Sequence, residues 1–317
     1  MGFVAKRIAV TLLTLFLVSI LTFAAFRLIP GDAALLSLGT EAGEDQIKTL
    51  QAEMGLDKSF PRQYLSWLGK FISGNLGNSS RFMGAPISGL IGDRLPVTLS
   101  LAGFSFLLII LLALPVSLIA VKKENSLPNR IITTLTALNI SIPGFFLGVI
   151  LIWVFGISLR LFVPGAFVSY MESPAAFIAC LFFPALAIAL PNAALVVKFL
   201  RSSVFHELHS DYVRTAKSKG GNPSHILRRH VLKNASLPAI TLLGMIAGEI
   251  LAGSIVIEQV FGIPGIGRLL IASITARDYL LTQTIVIYIA FAVILANTLA
   301  DIILQIVDPR IRLTEKI

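Results

Sequence analysis

Six long apolar runs alternate with shorter polar segments along the chain. The apolar runs cover residues 8–29, 97–121, 131–159, 175–199, 237–257 and 280–307. A helix that crosses a bilayer needs about 20 mostly apolar residues, and each run is long enough. The pattern therefore predicts an all-α membrane protein with six transmembrane helices.

The runs divide the chain into a first transmembrane helix (residues 1–30), an external segment (31–94) and a five-helix core (95–317). The core includes a polar segment at 198–236 and an external, re-entrant-like element at 258–279. The first run has no small-residue cleavage site, so we expect it to be retained and not removed as a signal peptide.

The composition excludes an ordinary soluble domain. Of the 317 residues, 56% are hydrophobic and 14% are charged, and the mean hydropathy is +0.86. Soluble domains carry about 25% charged residues, so this chain is unusually apolar. The composition and the six runs predict the same class of protein.

The net charge of +9 follows the predicted topology and does not indicate nucleic-acid binding. Most basic residues next to the spans lie on the same side of the membrane as segment 198–236. By the positive-inside rule this side is the cytoplasm, and both termini lie there. The basic residues next to the spans are Lys6, Arg7, Lys122, Lys123, Arg130, Arg310, Arg312 and Lys316. The short connections on the other side carry only Arg160, Arg268 and Arg277.

The external segment is too long for a simple connection, which indicates a partner or a substrate outside the cell. Ile47, Leu50 and Met54 have helical spacing, so the pattern predicts an amphipathic helix over residues 45–54. Aromatic and aliphatic side chains follow at residues 64–72. They are expected in the lipid headgroup region, where aromatic residues are favoured, or in a packed cap over the external mouth, and the two arrangements are compatible.

Segment 198–236 collects polar residues, including all four histidines, between two apolar runs. The Ser-Asp pair at 210–211 can cap a short helix over residues 212–219, which Gly220 then ends. The Asn-Pro pair at 222–223 can begin a second helix. A helix of about two turns is marginal alone in water, so we expect it to lie on a surface. The alternative is a solvated basic loop held at the inner membrane face by lipid charge.

Glu249 is the ionisable residue that stands out within the apolar runs. A charged group in a span is costly and usually faces an interior or a cavity, so Glu249 is either a pathway residue or a polar contact between helices. Nearby small residues allow helices to approach closely. They are Gly244, Ala247, Gly248, Ala252 and Gly253.

Proline and glycine mark two further places where the chain can bend. Pro143 and two prolines of the fourth run permit bends in helices that neighbours enclose. After the fifth run, Pro264, Gly265 and Gly267 predict a tight turn, followed by a short external helix over residues 269–276. The G-x-G fragment in this turn does not indicate a nucleotide site, because no β-strand precedes it.

The common patterns of nucleotide binding and catalysis do not occur in the sequence. It contains no G-x-x-x-x-G-K-[ST] segment, so the chain does not bind ATP through a P-loop. His206 and His209 are three residues apart, but no cysteine or compact set of carboxylates completes a metal site. The single cysteine, Cys180, is expected to be a small buried residue.

Several segments together resemble the permease subunits of bacterial ABC importers. DYVRTAKSKG followed by RRHVLKNASLP resembles their cytoplasmic coupling loop, the EAA loop. Residues 214–216 stand where the general pattern has Glu-Ala-Ala, and Gly220 stands for its glycine. The missing glutamate and the longer gap before Leu237-Pro238 resemble the dipeptide, oligopeptide and nickel branch. The segments MGLDKSFPRQYLSWL, IEQVFGIPGIGRLL, RDY and DPRIRL also resemble this branch, so the likeness covers nearly the whole chain.

The resemblance implies a type I ABC importer permease fold in the bacterial inner membrane. It also implies a second, similar permease subunit, two cytoplasmic ATPase subunits that bind ATP and Mg, and an external substrate-binding protein. This chain would then be a transport subunit without a cofactor, a metal or an ATPase site of its own. Its short cytoplasmic helix would dock on an ATPase subunit through Asp211, Tyr212, Val213, Arg214, Thr215, Ala216, Lys217 and Gly220.

The resemblance indicates di- or oligopeptides as the cargo, with nickel or a nickel chelate as the alternative. A rival from another class is an ion-coupled secondary transporter, which would show inverted repeats and ionisable sites in corresponding halves. The sequence shows no convincing repeat, and only Glu249 is a candidate for ion coupling or for lining a pathway. A membrane enzyme is disfavoured because no catalytic set of residues is present.

Overall fold

Helices make up nearly all the regular structure in the computed structural model, which describes residues 2–28, 43, 58–122 and 126–307. In chain order they are α1 (Gly2–Leu28), α2 (Phe60–Ile72), α3 (Ile87–Lys122), α4 (Leu127–Ser141), α5 (Gly144–Leu151), α6 (Pro174–Leu208), α7 (Asp211–Ser218), α8 (Pro223–Ile226), α9 (Leu232–Phe261), α10 (Ile266–Thr275) and α11 (Tyr279–Val307). Two π-helical stretches, Ile152–Ser158 and Leu227–Val231, follow α5 and precede α9. The helix predicted at 45–54 and the closing DPRIRL segment lie outside the described residues.

Five helices in the described part of the chain are long and apolar enough to cross a membrane. Four of them lie in α1, α3, α6 and α11. The other consists of α9 together with the π-helical stretch before it. Helix α4 and the segment that begins with α5 are together also long and apolar enough to cross a membrane. The described residues therefore contain six candidate spans if this bent pair counts as one. The prediction of an all-helical membrane protein with about six spans is confirmed. Helix α3 begins at Ile87, well before the apolar run that starts at residue 97.

The third predicted span is not one straight helix. Helix α4 and the helical segment that begins with α5 are bent by 105° relative to each other. Ile142, between them, is extended (φ −91°, ψ 123°). Pro143 causes this break, because its ring disfavours helical geometry in the preceding residue and it has no N–H to donate. Pro184 and Pro191, by contrast, lie inside a continuous α6.

The chain divides into two compact units, Met1–Thr98 with Pro264–Ile294 and Leu99–Ile263 with Leu295–Ile317. In the first unit, α2 packs aromatic side chains against α1. Tyr64 is buried, with its ring 5.5 Å from that of Phe23 and its hydroxyl 2.7 Å from the Oγ of Ser19. The ring of Trp67 lies 5.4 Å from the same phenylalanine. These aromatic residues therefore pack against α1, whereas Leu65 and Ile72 of the same segment are exposed.

Asp278 ties the loop before α3 to the start of α11 within the same unit. Its Oδ2 accepts hydrogen bonds from the hydroxyl of Ser79 (2.5 Å) and the backbone N–H of Arg81 (3.1 Å). Its Oδ1 accepts from the N–H of Leu281 (3.1 Å), which caps α11. Ser79 and Asp278 are 1% and 2% exposed, so each buried polar group has its partner.

In the second unit, α6 packs against α4, α5 and α9. Glycines of α9 permit a close approach to the second half of α11. A Cβ at Gly244 would lie 2.8 Å from that of Ala300, and one at Gly248 would overlap the side chain of Asn297. The predicted role of small residues in close helix packing is confirmed at these two positions. A Cβ at Gly253 would have no neighbouring atom within 4 Å, so the small size of this residue serves no packing within the chain.

The turn after α9 lies earlier than the sequence indicates. Gly262 ends α9 in the left-handed conformation (φ 70°), which favours glycine. Gly265 is extended and precedes α10, and Gly267 lies inside α10. The prediction of a turn is therefore confirmed for Pro264 and Gly265, which lie between α9 and α10, and wrong for Gly267. The short helix itself is confirmed, beginning three residues before its predicted start at 269.

Candidate functional site

Helix α7 begins and ends as the polar segment predicts. Ser210 holds the cap position in an extended conformation (φ −70°, ψ 154°), but its hydroxyl donates to the carbonyl of Glu207 (2.6 Å). Asp211 in the first turn and Lys217 in the last turn complement the helix dipole. Gly220 follows in the left-handed conformation (φ 78°), as expected for a glycine that ends a helix.

One face of α7 is buried against the rest of the second unit. Val213 is fully buried, and Ala216, almost one turn later, packs against the same cluster of apolar side chains. The buried members of the cluster are Val121, Leu200, Val204, Val213, Ile226, Val231, Ala235 and Ala239. They come from α3, α6, α7, α8, the π-helical stretch Leu227–Val231 and the start of α9, so the prediction that α7 lies on a surface is confirmed. The side chain of Val213 is 0% exposed, so its predicted part in docking would be to hold the helix in place.

The opposite face of α7 is exposed and mostly charged. Its exposed residues are Asp211, Arg214, Thr215, Lys217, Ser218 and Lys219, and Gly220 beyond the helix is exposed too. Arg214 and Asp211 form an ion pair of 3.6 Å, with side chains 74% and 97% exposed. An ion pair this exposed adds little stability. The charges on this face are therefore free to meet a partner surface.

Tyr212 lies between these two faces. Its hydroxyl donates a hydrogen bond to the Oε2 of Glu207 (2.5 Å), at the end of α6. The same hydroxyl interacts with the side chain of Asn234, in the first turn of α9. Burial raises the pKa of Tyr212 and the bond to Glu207 raises it further, so the hydroxyl keeps its proton at neutral pH. Glu207 and Asn234 were not predicted as site residues, because nothing in the sequence shows that they meet at Tyr212.

A cavity of about 510 Å³ opens beside Tyr212. It is lined by Tyr212, Arg229, His230, Lys233 and Asn234, all of which carry hydrogen-bond donors. The ring of His230 lies 6.3 Å from that of His225. Within the described residues, no three His, Cys, Asp or Glu side chains gather in a way that could hold a metal ion.

Glu249 does not face the interior of this chain. It is exposed on α9, next to Gly248, where α9 meets Asn297 of α11. A carboxylate on the outer surface of a membrane span is costly against lipid. Its position is therefore compatible with a water-filled pathway or with contact to another protein.

A second cavity, of about 680 Å³, has a mainly apolar lining that includes Phe167, Phe183, Phe261 and the half-buried Cys180. The rings of Phe162 and Phe183 stack at 4.6 Å beside it. The sequence did not predict this cavity, because its lining comes from a connecting segment, α6 and the end of α9. Apolar and aromatic side chains dominate it, so it offers little chemistry for a polar reaction.

Comparison with protein families gives two matches that together span most of the chain. The family described as "binding-protein-dependent transport system inner membrane component" matches residues 113–313, which include α6, α7 and α9. The N-terminal membrane component of the same transport systems matches residues 1–102. The exposed face of α7 and Glu249 thus both fall within the first matched region.

Relatives that resemble the chain over nearly its full length are named as peptide permeases. A protein of Brucella abortus named as a peptide transport system permease is 33% identical over 309 residues, which are 98% of each chain. A protein of Sinorhizobium fredii named as a peptide ABC transporter permease is 32% identical over 310 residues, 98% of this chain and 99% of the relative. The dipeptide transport system permease of Lactococcus lactis is 32% identical over 311 residues, with the same coverage.

Proposed function

Since this chain belongs to the family of binding-protein-dependent transport system inner membrane components, we propose that it forms half of the translocation pathway of an ATP-driven peptide importer. The chain is a multi-pass membrane protein and a permease subunit of the peptide branch of ABC importers. Its exact cargo, its partners and its orientation in the membrane are further parts of the proposal.

The proposed cargo is di- or oligopeptides. Support comes from the three relatives of Brucella, Sinorhizobium and Lactococcus, which are named for peptides and resemble the chain from end to end. The sequence analysis gave nickel or a nickel chelate as the alternative cargo, and none of these three relatives is named for nickel. The partner that sets the exact peptide preference is the proposed external binding protein.

The drive for transport comes, in this proposal, from two cytoplasmic ATPase subunits that bind ATP and Mg. The chain itself contains no P-loop sequence. The observation that carries the proposal is the two-sided character of α7, with Val213 buried in the chain and Arg214, Thr215 and Lys217 exposed. A helix held in this way offers a fixed surface to a partner and passes the partner's movement to the spans beneath it.

The docking surface consists of the exposed residues of α7 and the glycine beyond it. Asp211, Arg214, Thr215, Lys217 and Gly220 would contact the ATPase subunit directly. Because the basic side chains on this surface outnumber its single carboxylate, an acidic rim on the ATPase groove would complement it. Val213 and Ala216 contribute indirectly, by holding the helix on the cluster.

The remaining partners are proposed from the resemblance to the family. A second, similar permease subunit would form the other half of the pathway, and an external binding protein would deliver the cargo. Both termini and α7 would lie in the cytoplasm, as the distribution of basic residues predicts. Glu249, exposed on a span, would then face the pathway or the second permease subunit and not lipid.

The docking role is tested by purifying the importer through this chain and measuring the bound ATPase and ATP-dependent peptide uptake. Gly220→Pro cannot adopt the left-handed conformation of the native residue (φ 78°), so it should displace the end of α7 and abolish both. Ala216→Asp should do the same, because it places a carboxylate against the apolar cluster. Gly74→Pro is the control: Gly74 has the same backbone conformation (φ 77°) but lies in the external segment.

The expected result is loss of ATPase binding in both α7 variants, with normal membrane insertion and with ATPase binding retained in the control. If the unmodified chain brings down no ATPase, or if uptake runs on an ion gradient without ATP, the importer proposal fails. Normal uptake by both α7 variants would remove α7 from the docking role while leaving the family assignment in place.

The pathway role of Glu249 makes a separate prediction. Glu249→Gln keeps the size of the side chain but removes its charge, so peptide uptake should fall while the amount of bound ATPase stays unchanged. Glu172→Gln, at an exposed carboxylate outside the helices, should leave both unchanged. Uptake at the unmodified level in the Glu249 variant would show that its charge has no part in transport.

A further inference from the structure

Three helices meet at the hydroxyl group of Tyr212. The hydroxyl belongs to α7 and donates to Glu207 of α6 at 2.5 Å. Asn234, in the first turn of α9, lies beside Tyr212 in the wall of the cavity of about 510 Å³. We call the Glu207–Tyr212–Asn234 arrangement the hydroxyl bridge. Glu207 lies in the last turn of α6 and Asn234 in the first turn of α9, so the bridge joins α7 to the ends of two spans.

The apolar cluster under α7 cannot by itself fix the direction in which the helix moves. Contacts of Val213 with aliphatic side chains are non-directional, and they resist separation of α7 from the spans more than rotation on them. A hydrogen bond is directional, because it weakens steeply when donor and acceptor are misaligned. The hydroxyl bridge therefore adds the constraint that the cluster lacks.

The contacts of the hydroxyl bridge lie within this chain and do not require a partner protein. The Tyr212 side chain is 37% exposed, yet its hydroxyl donates to Glu207 of the same chain at 2.5 Å, and Asn234 lies beside it in the cavity wall. Glu207 and Asn234 are both half-buried at the helix ends. Tyr212 differs in this from Arg214 and Lys217, whose side chains are exposed and have no hydrogen bond to α6 or α9 among the described residues.

We propose that Tyr212 is a positioning residue of the coupling step, whose hydroxyl holds α7 to α6 and α9 so that movement of a docked ATPase reaches both spans. The proposal rests on the proposed function as a permease subunit. It replaces the expectation that Tyr212 acts by contacting the ATPase. Loss of the hydroxyl should leave docking intact and allow α7 to shift on the spans, so that ATP is hydrolysed with less transport.

The test uses the complete importer, with its ATPase subunits and binding protein, reconstituted in lipid vesicles. Tyr212→Phe removes only the hydroxyl and keeps the ring. Three quantities are measured for each variant: the ATPase bound per permease, the rate of ATP hydrolysis and the number of peptides imported per ATP hydrolysed. Tyr170→Phe is the matched control, because Tyr170 is also an exposed tyrosine (43%) and packs only its ring, against Phe177.

For Tyr212→Phe we expect unchanged ATPase binding and hydrolysis but about a tenfold fall in peptides imported per ATP, the change that corresponds to about 1.4 kcal/mol. Glu207→Ala removes the acceptor and should also lower the ratio, by no more than Tyr212→Phe, which removes the whole hydroxyl. The double variant should be no worse than Tyr212→Phe alone, because loss of the hydroxyl already removes the hydrogen bond to Glu207. The control should match the unmodified importer. A defect in folding alone would lower the amount of assembled importer without changing the ratio of peptide to ATP.

Two results would overturn the proposal. An unchanged ratio of peptide to ATP in both Tyr212→Phe and Glu207→Ala would show that the bridge does not position α7 for coupling. Loss of bound ATPase in Tyr212→Phe would show that the hydroxyl acts in docking instead. Both results leave the permease function standing, whereas an unmodified chain that binds no ATPase would remove the proposed function itself.

Discussion

The burial of Val213 predicts that a small substitution will loosen α7 without touching its exposed face. Val213→Ala removes two methyl groups from a fully buried side chain. At about 0.8 kcal/mol for each buried carbon, the lost transfer free energy is about 1.6 kcal/mol. The surrounding cluster closes the resulting cavity only in part, which brings the total to about 2 kcal/mol.

This loss falls on a helix that has little stability of its own. An eight-residue helix is marginal in water, so most of the free energy that keeps α7 formed comes from the cluster. The equilibrium constant for local opening of α7 should therefore rise about 30-fold, because each 1.4 kcal/mol corresponds to a factor of ten. Amides of residues 213–219 should exchange with deuterium faster by the same factor.

The assay is hydrogen–deuterium exchange with mass spectrometry on the full-length chain in lipid nanodiscs. Thr215→Ala, two residues away on the exposed face, is the control. Surface substitutions usually change stability by about 0.5 kcal/mol or less, so the control should alter exchange by about twofold at most. Equal exchange in the two variants, or a larger effect from the control, would refute the account of how α7 is held.

Two further predictions concern packing elsewhere in the chain. Gly248→Ala should lower the thermal stability of the purified protein by about 1–3 kcal/mol, because the new methyl group overlaps the side chain of Asn297. Gly253→Ala, with nothing within 4 Å, should not lower it, and an equal loss in both would contradict the close approach of the helices. Ser79→Ala should cost about 1–3 kcal/mol, because Asp278 then keeps a buried oxygen without one of its two donors. A melting temperature unchanged from that of the unmodified protein would show that this buried bond adds no stability.

The sequence predicted the spans well because each depends on local composition. About 20 apolar residues in a row must form a helix in lipid, whatever packs around them. The end of α7 at Gly220 was predictable for a similar reason, since a glycine after a run of helix formers ends a helix without help from tertiary contacts. The third span was predicted less well, because the sequence does not show which prolines interrupt a helix. Pro143 separates two helices bent by 105°, whereas Pro184 and Pro191 lie inside a continuous α6.

The parts of the site that the sequence did not predict depend on residues that are distant along the chain. Glu207 and Asn234 have no distinguishing pattern, and they gain their role only because the ends of α6 and α9 meet at Tyr212. Asp278 meets Ser79 across 199 residues, which no periodicity reveals. The burial of Val213 follows from which face of α7 turns toward the cluster, and eight residues were too few to decide this from the pattern.

The most direct test of the central claim is cross-linking of the exposed face of α7 to the ATPase in the assembled importer. Arg214→Cys is introduced in a Cys180→Ala background, so that it carries the only thiol of this chain. A short bifunctional thiol reagent should join this residue to an ATPase subunit, whereas Tyr170→Cys in the same background should give no such product. The account would be contradicted if the thiol of Arg214→Cys reacted with reagents dissolved in lipid or water but did not cross-link to the ATPase.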